Sequence, residues 1–275
     1  GAAVTARERD WALRYGKWAV VTGASDGIGR AVATELARRG MNLVLVARRR
    51  ELLRELCLEL VRSHGIECVV MCADLSTVGG CRAVLDGTTT LDIGLLVAAA
   101  GFGTSGLFVD SPLDAERDML AVNCAAVLEL TAHYAPRFAK RRCGGIVLVS
   151  SVLAFQGVPR SAHYAATKAW VQTFAEGLRS ELRPQGVDVL VSAPGPVDTG
   201  FAKRADLRMG SMLPAALVAR QTLDALGRRG TVRPGWLSKL LGWSLAALPR
   251  AARVAVLTQV MGGMTAHQRR VGAAP

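Results

Sequence analysis

Six short apolar runs, separated by stretches of helical periodicity, constrain this chain more than any other feature. They are WAVVTG from Trp18, NLVLVA from Asn42, ECVVMCA from Glu67, IGLLVAAAG from Ile93, GIVLVS from Gly145 and VDVLVSAPG from Val187. The intervening segments read as helices over Ile28–Arg39, the amphipathic RRELLRELCLELVRSHG, a weaker stretch near 77–88, a long helix over Leu113–Arg142, and His163–Arg183. Glycines at 40 and 65 supply stop signals for the first two. Strands that are unbroken apolar runs, rather than alternating ones, are covered by helices on both faces. The pattern therefore predicts an α/β protein with one doubly wound parallel sheet. The 275 residues show no internal repeat or low-complexity linker. One domain is expected over 1–275, with a core over 16–200 and a less regular, helical C-terminal cap over 200–275.

Composition narrows the class. Hydrophobic residues make up 51% of the chain and charged residues 20%, which fits a globular protein. The formal charge of +12 is unevenly spread: beyond Asp224 there is no acid, while Arg228, Arg229, Arg233, Lys239, Arg250, Arg253, Arg269 and Arg270 are basic. That describes one basic surface rather than a nucleic-acid coat, and no nucleic-acid partner is expected. The apolar WAVVTGA is short and runs straight into glycines, so no signal peptide is expected. No uncharged apolar run reaches the ~18–20 residues that span a bilayer. Cysteines 57, 68, 72, 81, 124 and 143 form no CxxC pair and have no histidines at ligand spacing. They read as reduced, packed thiols with no metal site.

TGASDGIG, residues 22–29, follows the first strand and opens the first helix. Gly23, Gly27 and Gly29 allow a sharp turn and close backbone approach to a pyrophosphate, and the helix N-terminus offers free N–H groups. This strand–turn–helix context makes the sheet Rossmann-type. After the second strand, where an acid would select a ribose 2′-hydroxyl, the chain has Arg48, Arg49 and Arg50. Arginine forks grip phosphate, so NADP(H) is expected in preference to NAD(H), with Ser25 adding a hydroxyl donor.

Tyr164 and Lys168 stand four residues apart on a predicted helix and share a face. A phenol with a pKa near 10 is a poor acid/base at neutral pH, and a neighbouring ammonium would favour its ionised form; a shift of about 3 units is worth about 4 kcal/mol. His163 projects about 100° away on the same helix and is expected at a surface or interface.

TGxxxGxG, Asn123, Ser151, YxxxK and PGPVDT (194–199), in this order and at these separations, resemble the short-chain dehydrogenase/reductase family over residues 16–200. The resemblance implies that Tyr164 is the general acid/base and that Lys168 lowers its pKa and holds the nicotinamide ribose. It further implies that Ser151 polarises the substrate carbonyl and that Asn123 holds a water in a proton relay. Asp26 and Ile28 in the loop, Asp74 and Leu75 beside the adenine, Ala100 and Gly101 after the fourth strand, and Pro194, Gly195, Val197 and Thr199 around the nicotinamide complete the implied cofactor site. One departure stands out: the family's NNAG is AAAG at 98–101, without its two side-chain amides.

WAVVTG, DGIG, GM and IGLLV are most similar to the branch of 17β-hydroxysteroid dehydrogenases and very-long-chain 3-ketoacyl-CoA reductases. That resemblance implies an NADPH-dependent carbonyl reductase or alcohol dehydrogenase for a bulky apolar ketone, a 3-oxoacyl thioester or a ketosteroid. It also implies a homodimer or homotetramer in the cytoplasm. The acid-free C-terminal segment, with Trp236, Leu237, Leu240, Leu241, Trp243, Leu245 and Leu248 among basic residues, reads as a cap that covers the substrate cleft or packs against a partner subunit, or as a peripheral membrane or acyl-carrier contact. The alternative is a non-catalytic NADP(H) sensor or lipid-surface protein on the same fold, motivated by AAAG.

Overall fold

The computed structural model describes residues 6–208, 210, 212–235 and 247–270. The six apolar runs become β1 (Trp18–Thr22), β2 (Asn42–Ala47), β3 (Cys68–Cys72), β4 (Ile93–Ala98), β5 (Gly144–Val149) and β6 (Val187–Ser192). A two-residue strand, β7 (Thr231–Val232), joins them in one parallel sheet of order β3-β2-β1-β4-β5-β6-β7. Register pairs Val20 with Val44 and Leu96, and Leu148 with Val191. The chain winds outward from β1 to β3, then returns to lay β4 against the other side of β1. In such sheets the crevice beyond the strand C-termini at this reversal binds ligands.

The helices are α1 (Ala6–Tyr15), α2 (Gly27–Arg38), α3 (Arg50–His64), α4 (Val78–Gly87), α5 (Leu113–Leu120), α6 (Ala126–Arg141), α7 (Ala162–Leu182), α8 (Phe201–Arg204), α9 (Ala215–Ala225) and α10 (Arg250–Met264). Their ends have local causes. The Asp26 carboxylate accepts from the Gly27 N–H at 2.7 Å to start α2, and the Thr77 hydroxyl accepts from the Gly80 N–H at 3.0 Å to start α4. Between α5 and α6, residues Ala121–Ala125 form one π-helical turn, so the predicted long helix is continuous but locally widened and underwound.

Alternate residues of each strand point to opposite cores. Ala19, Val21, Leu43, Leu45 and Val97 pack against Val32 and Leu36 of α2, Leu53 and Leu56 of α3, and Leu223 of α9. Val20, Val44, Leu96, Ile146 and Val189 pack against Val84 of α4, Leu130, Tyr134 and Phe138 of α6, and Val171 of α7. Each buried aliphatic side chain contributes roughly 1.5–3 kcal/mol, which is why the five central strands, without polar faces, are stable.

Three features depart from the expected organisation. The core does not end at 200, because α9 packs on α2 and β7 extends the sheet. An N-terminal helix precedes β1, and its Tyr15 is buried, donating its hydroxyl to Asp188 Oδ2 at 2.8 Å. The cysteines are free but not uniformly packed: Cys81 and Cys124 are buried, whereas Cys72 is exposed. No described helix is long and apolar enough to cross a membrane. Trp236, Leu237, Lys239, Leu240, Leu241, Trp243 and Leu245 lie outside the described residues.

Candidate active site

A cavity of about 1050 Å³ opens at the C-terminal ends of β1, β2, β4, β5 and β6. Its floor begins at the glycine loop. Gly23 has φ +68°, and a Cβ there would stand 2.8 Å from the Ala100 backbone. A Cβ on Gly29 would stand 2.3 Å from the Gly23 carbonyl oxygen. Both positions therefore exclude any side chain, and the first turn of α2 lies flush against the loop. Ser25, Asp26, Gly27, Ile28, Asp74, Leu75, Ala100, Gly101, Pro194, Gly195, Val197 and Thr199 all line the same cavity, together with Arg48 and Arg49.

At the β2 end the arginines are only lightly engaged. Arg49 donates to the Ser25 hydroxyl at 3.2 Å and sits 3.7 Å from the Asp26 carboxylate. Arg204, on α8, was not singled out in the sequence; its guanidinium lies 3.8 Å over the Phe102 ring. Burial and then the neighbouring Arg48 and Arg49 charges bring its pKa below the ordinary arginine value. Three guanidinium groups thus share one end of the cavity, an arrangement that favours an anion between them. The adjacent Lys203–Arg204 pair was the one available clue. Asp74 accepts from the N–H and hydroxyl of Ser76 at 3.0 and 2.8 Å, which holds its carboxyl below the usual range.

The AAAG segment is braced from below. The buried Thr22 hydroxyl accepts from both the Ala99 and Ala100 N–H groups at 3.1 Å. One hydroxyl on β1 therefore holds the end of β4, where the family's asparagine amides are absent.

The YxxxK helix is α7. Tyr164 and Lys168 are both buried, and the Lys168 ammonium is 5.9 Å from the Tyr164 ring centroid. Ser151, just after β5, lines the cavity with Tyr164, and its oxygen accepts from Leu153 N–H at 3.2 Å. Ser150 turns the other way and donates to the Lys168 carbonyl at 2.9 Å, locking α7 to β5. Burial pushes the Tyr164 pKa above the ordinary phenol range, with the neighbouring Ser151 hydroxyl pulling it down. Lys168 is not among the groups that lower it, so the expected downward shift is not met by these residues. Lys168 donates to the Val149 carbonyl at 2.9 Å, and desolvation brings its pKa from 10.5 to about 8.

Asn123 differs from its three partners because it does not line the cavity. It lies in the π-helical turn, where its amide accepts from Phe102 N–H at 3.1 Å and donates to the Phe102 carbonyl and Thr167 hydroxyl at 2.9 and 3.0 Å. A Cβ at Gly101 would stand 3.1 Å from both Asn123 Oδ1 and Lys168 Nζ, so these groups face each other across that glycine. His163 turns away from the cavity, its Nδ1 2.7 Å from the buried Glu116 carboxylate on α5.

Residues 17–209 match the short chain dehydrogenase family. The chain belongs to that family. As a short chain dehydrogenase it is an oxidoreductase that binds a nicotinamide cofactor, and the close-packed glycines and basic pocket above suit such a ligand. It is 31% identical to a 7β-hydroxysteroid dehydrogenase of Clostridium sardiniense over 82% of this chain and 88% of that protein. It is 34% identical to very-long-chain 3-oxoacyl-CoA reductase-B of Danio rerio over 94% of this chain and 83% of the fish protein. Among solved structures, a short-chain dehydrogenase from Sphingobium yanoikuyae in complex with NADPH superposes with a TM-score of 0.75 at 30% identity, covering 90% of this chain and 93% of that one.

Proposed function

We propose that the protein is an NADPH-dependent carbonyl reductase for a bulky apolar ketone, a 3-oxoacyl thioester or a ketosteroid, using the same groups for the reverse alcohol oxidation. The observation that carries this reading is that Ser151 and Tyr164 line one cavity together with the glycine loop and the apolar residues Leu153, Leu207, Leu257 and Met261. The relatives named above act on a hydroxysteroid and a very-long-chain 3-oxoacyl-CoA, both bulky and apolar.

When bound, the nicotinamide cofactor supplies the hydride. Gly23, Ser25, Asp26, Gly27, Ile28 and Gly29 would receive its pyrophosphate, Asp74 and Leu75 its adenine end, and Ala100, Gly101, Pro194, Gly195, Val197 and Thr199 its nicotinamide end. Arg48, Arg49 and Arg204 would take the 2′-phosphate, which supports NADP(H) over NAD(H). Ser151 would hold the substrate carbonyl and Tyr164 would deliver a proton to its oxygen. A raised pKa keeps the Tyr164 phenol protonated, the state that reduction needs. Lys168 would hold the nicotinamide ribose, while Asn123 acts as a positioning residue through its clamp on Phe102. The non-catalytic alternative loses its motive, because Thr22 supplies the bracing that AAAG lacks.

Replacing Tyr164 with Phe should lower reduction of lipid-like ketones by about 10²–10⁴-fold and leave NADPH binding intact. Unchanged turnover, followed by NADPH absorbance, would sink the assignment. The proposal extends to one domain and to a homodimer or homotetramer, to be checked by light scattering; exposed Leu113, Leu120 and Leu128 on α5 and α6 support assembly. It also includes a cytoplasmic location with peripheral lipid contact through the acid-free C-terminal segment. Liposome flotation of the full chain tests that contact, and failure to float with anionic vesicles would remove it.

A further inference from the structure

Beyond Tyr164 and Ser151 the cavity continues into an arm lined by Leu153, Leu207, Leu257, Val260, Met261 and Met264. Two cations, Arg233 and Arg253, also line the cavity. Its acidic lining residues, Asp26 and Asp74, both stand with the glycine loop and the arginines after β2. Since the sequence holds no acid after Asp224, the C-terminal segment cannot supply one.

Arg233 is held in place from both sides. β7 precedes it and pairs with β6, and the Gly235 N–H that follows donates to Gln221 Oε1 at 2.9 Å. The guanidinium lies 4.4 Å from the Phe155 ring centroid. Its Nε is buried with no hydrogen-bond partner among the described residues. Other buried side-chain atoms without partners belong to Thr131, His133, Gln172 and His267, none of which lines the cavity. A buried donor without an acceptor is costly, and a guanidinium presents a fork suited to an oxyanion. Phe155 lies four residues past Ser151 at the end of the 3-10 turn Val152–Phe155, and both line the cavity. Arg253, on α10, adds a second positive charge, with its Nε donating to the Leu248 carbonyl at 2.9 Å.

We infer that the substrate arm takes a ketone whose apolar body ends in an oxyanion remote from the carbonyl, with Arg233 as the residue that binds it. This rests on the reductase reading above and narrows its substrate class. The oxyanion has two sources of the same chemistry, a carboxylate on the substrate body or a phosphate on a thioester carrier.

The test uses NADPH-saturated full-length protein, wild type alongside Arg233→Met and Arg233→Lys, with two matched probe pairs. One pair is a ketosteroid bearing a side-chain carboxylate and its methyl ester; the other is a 3-oxoacyl-CoA and the same acyl group on a short neutral thioester. Binding is read by calorimetry and turnover by NADPH oxidation. In the wild type, the charged member of one pair should be preferred by about 10–100-fold in Kd and KM. The pair that shows the preference identifies the source of the anion. The preference should vanish in Arg233→Met while the neutral member is unaffected, and should be intermediate in Arg233→Lys, which keeps the charge but not the fork. Equal binding of charged and neutral members by the wild type, or a preference that survives Arg233→Met, overturns the inference. If the preference is present but no ketone is reduced, the reductase reading fails and the anion site stands.

Discussion

Replacing Lys168 with Met tests whether this ammonium is held in a site that disfavours its charge. Lys168 is 6% exposed, and burial brings its pKa from 10.5 to about 8. Between these values the unfolded chain binds a proton that the native protein has released, so stability rises with pH across the window. The lysine's favourable contribution is complete above about pH 10.5 and is lost as pH falls through 8. At about 1.4 kcal/mol per pKa unit, the unfolding free energy of the wild type should gain ~2–3 kcal/mol over the variant between pH 7 and pH 10. The variant reports every other titration, so the difference isolates Lys168. Its offset at neutral pH includes the cost of leaving the Val149 carbonyl without its donor, which is why the slope is the quantity to read. Urea unfolding followed by tryptophan fluorescence, without cofactor, at intervals from pH 7 to 10 supplies the measurement. A flat or falling difference would refute the claim that desolvation governs this lysine.

Replacing Thr22 with Val removes the acceptor for two backbone N–H groups and should cost about 2–4 kcal/mol by denaturant unfolding; a loss below measurement error would show that AAAG needs no brace. Removing the Arg48 and Arg49 side chains should lower the NADPH-to-NADH ratio of kcat/KM, and an unchanged ratio defeats the 2′-phosphate assignment. Because burial holds the Tyr164 proton in place, ketone reduction should be nearly constant from pH 6 to about 8, while alcohol oxidation should still be rising at about pH 9. An oxidation rate that levels off near neutral pH would mean that the phenol ionises far more readily than its burial allows.

Six strands were legible from their apolar runs, which report burial on both faces for the five central ones but only partial burial for the edge strand β3; the glycine loop was legible because its spacing leaves little other use for three glycines at a strand–helix junction. Ser151, Tyr164 and Lys168 could be chosen on helical spacing and family resemblance, and they do meet at one cavity. Asn123 was legible as a position but not as a contact, since its partners Phe102 and Thr167 lie far away in sequence. Two-residue β7 has no period to detect, and α9 joins the core only because its apolar face finds α2.

Local pattern determines where strands, helices and turns begin, because propensity, capping and period act over a few residues. It was enough to specify a doubly wound sheet, a phosphate loop and a YxxxK helix. The direction of the Tyr164 pKa, the third arginine at the β2 end and an Arg233 on the cavity wall, whose Nε has no hydrogen-bond partner among the described residues, were decided by folding. Each depends on how much water is removed from a group and on which distant charges remain beside it, quantities that exist only once the chain is packed.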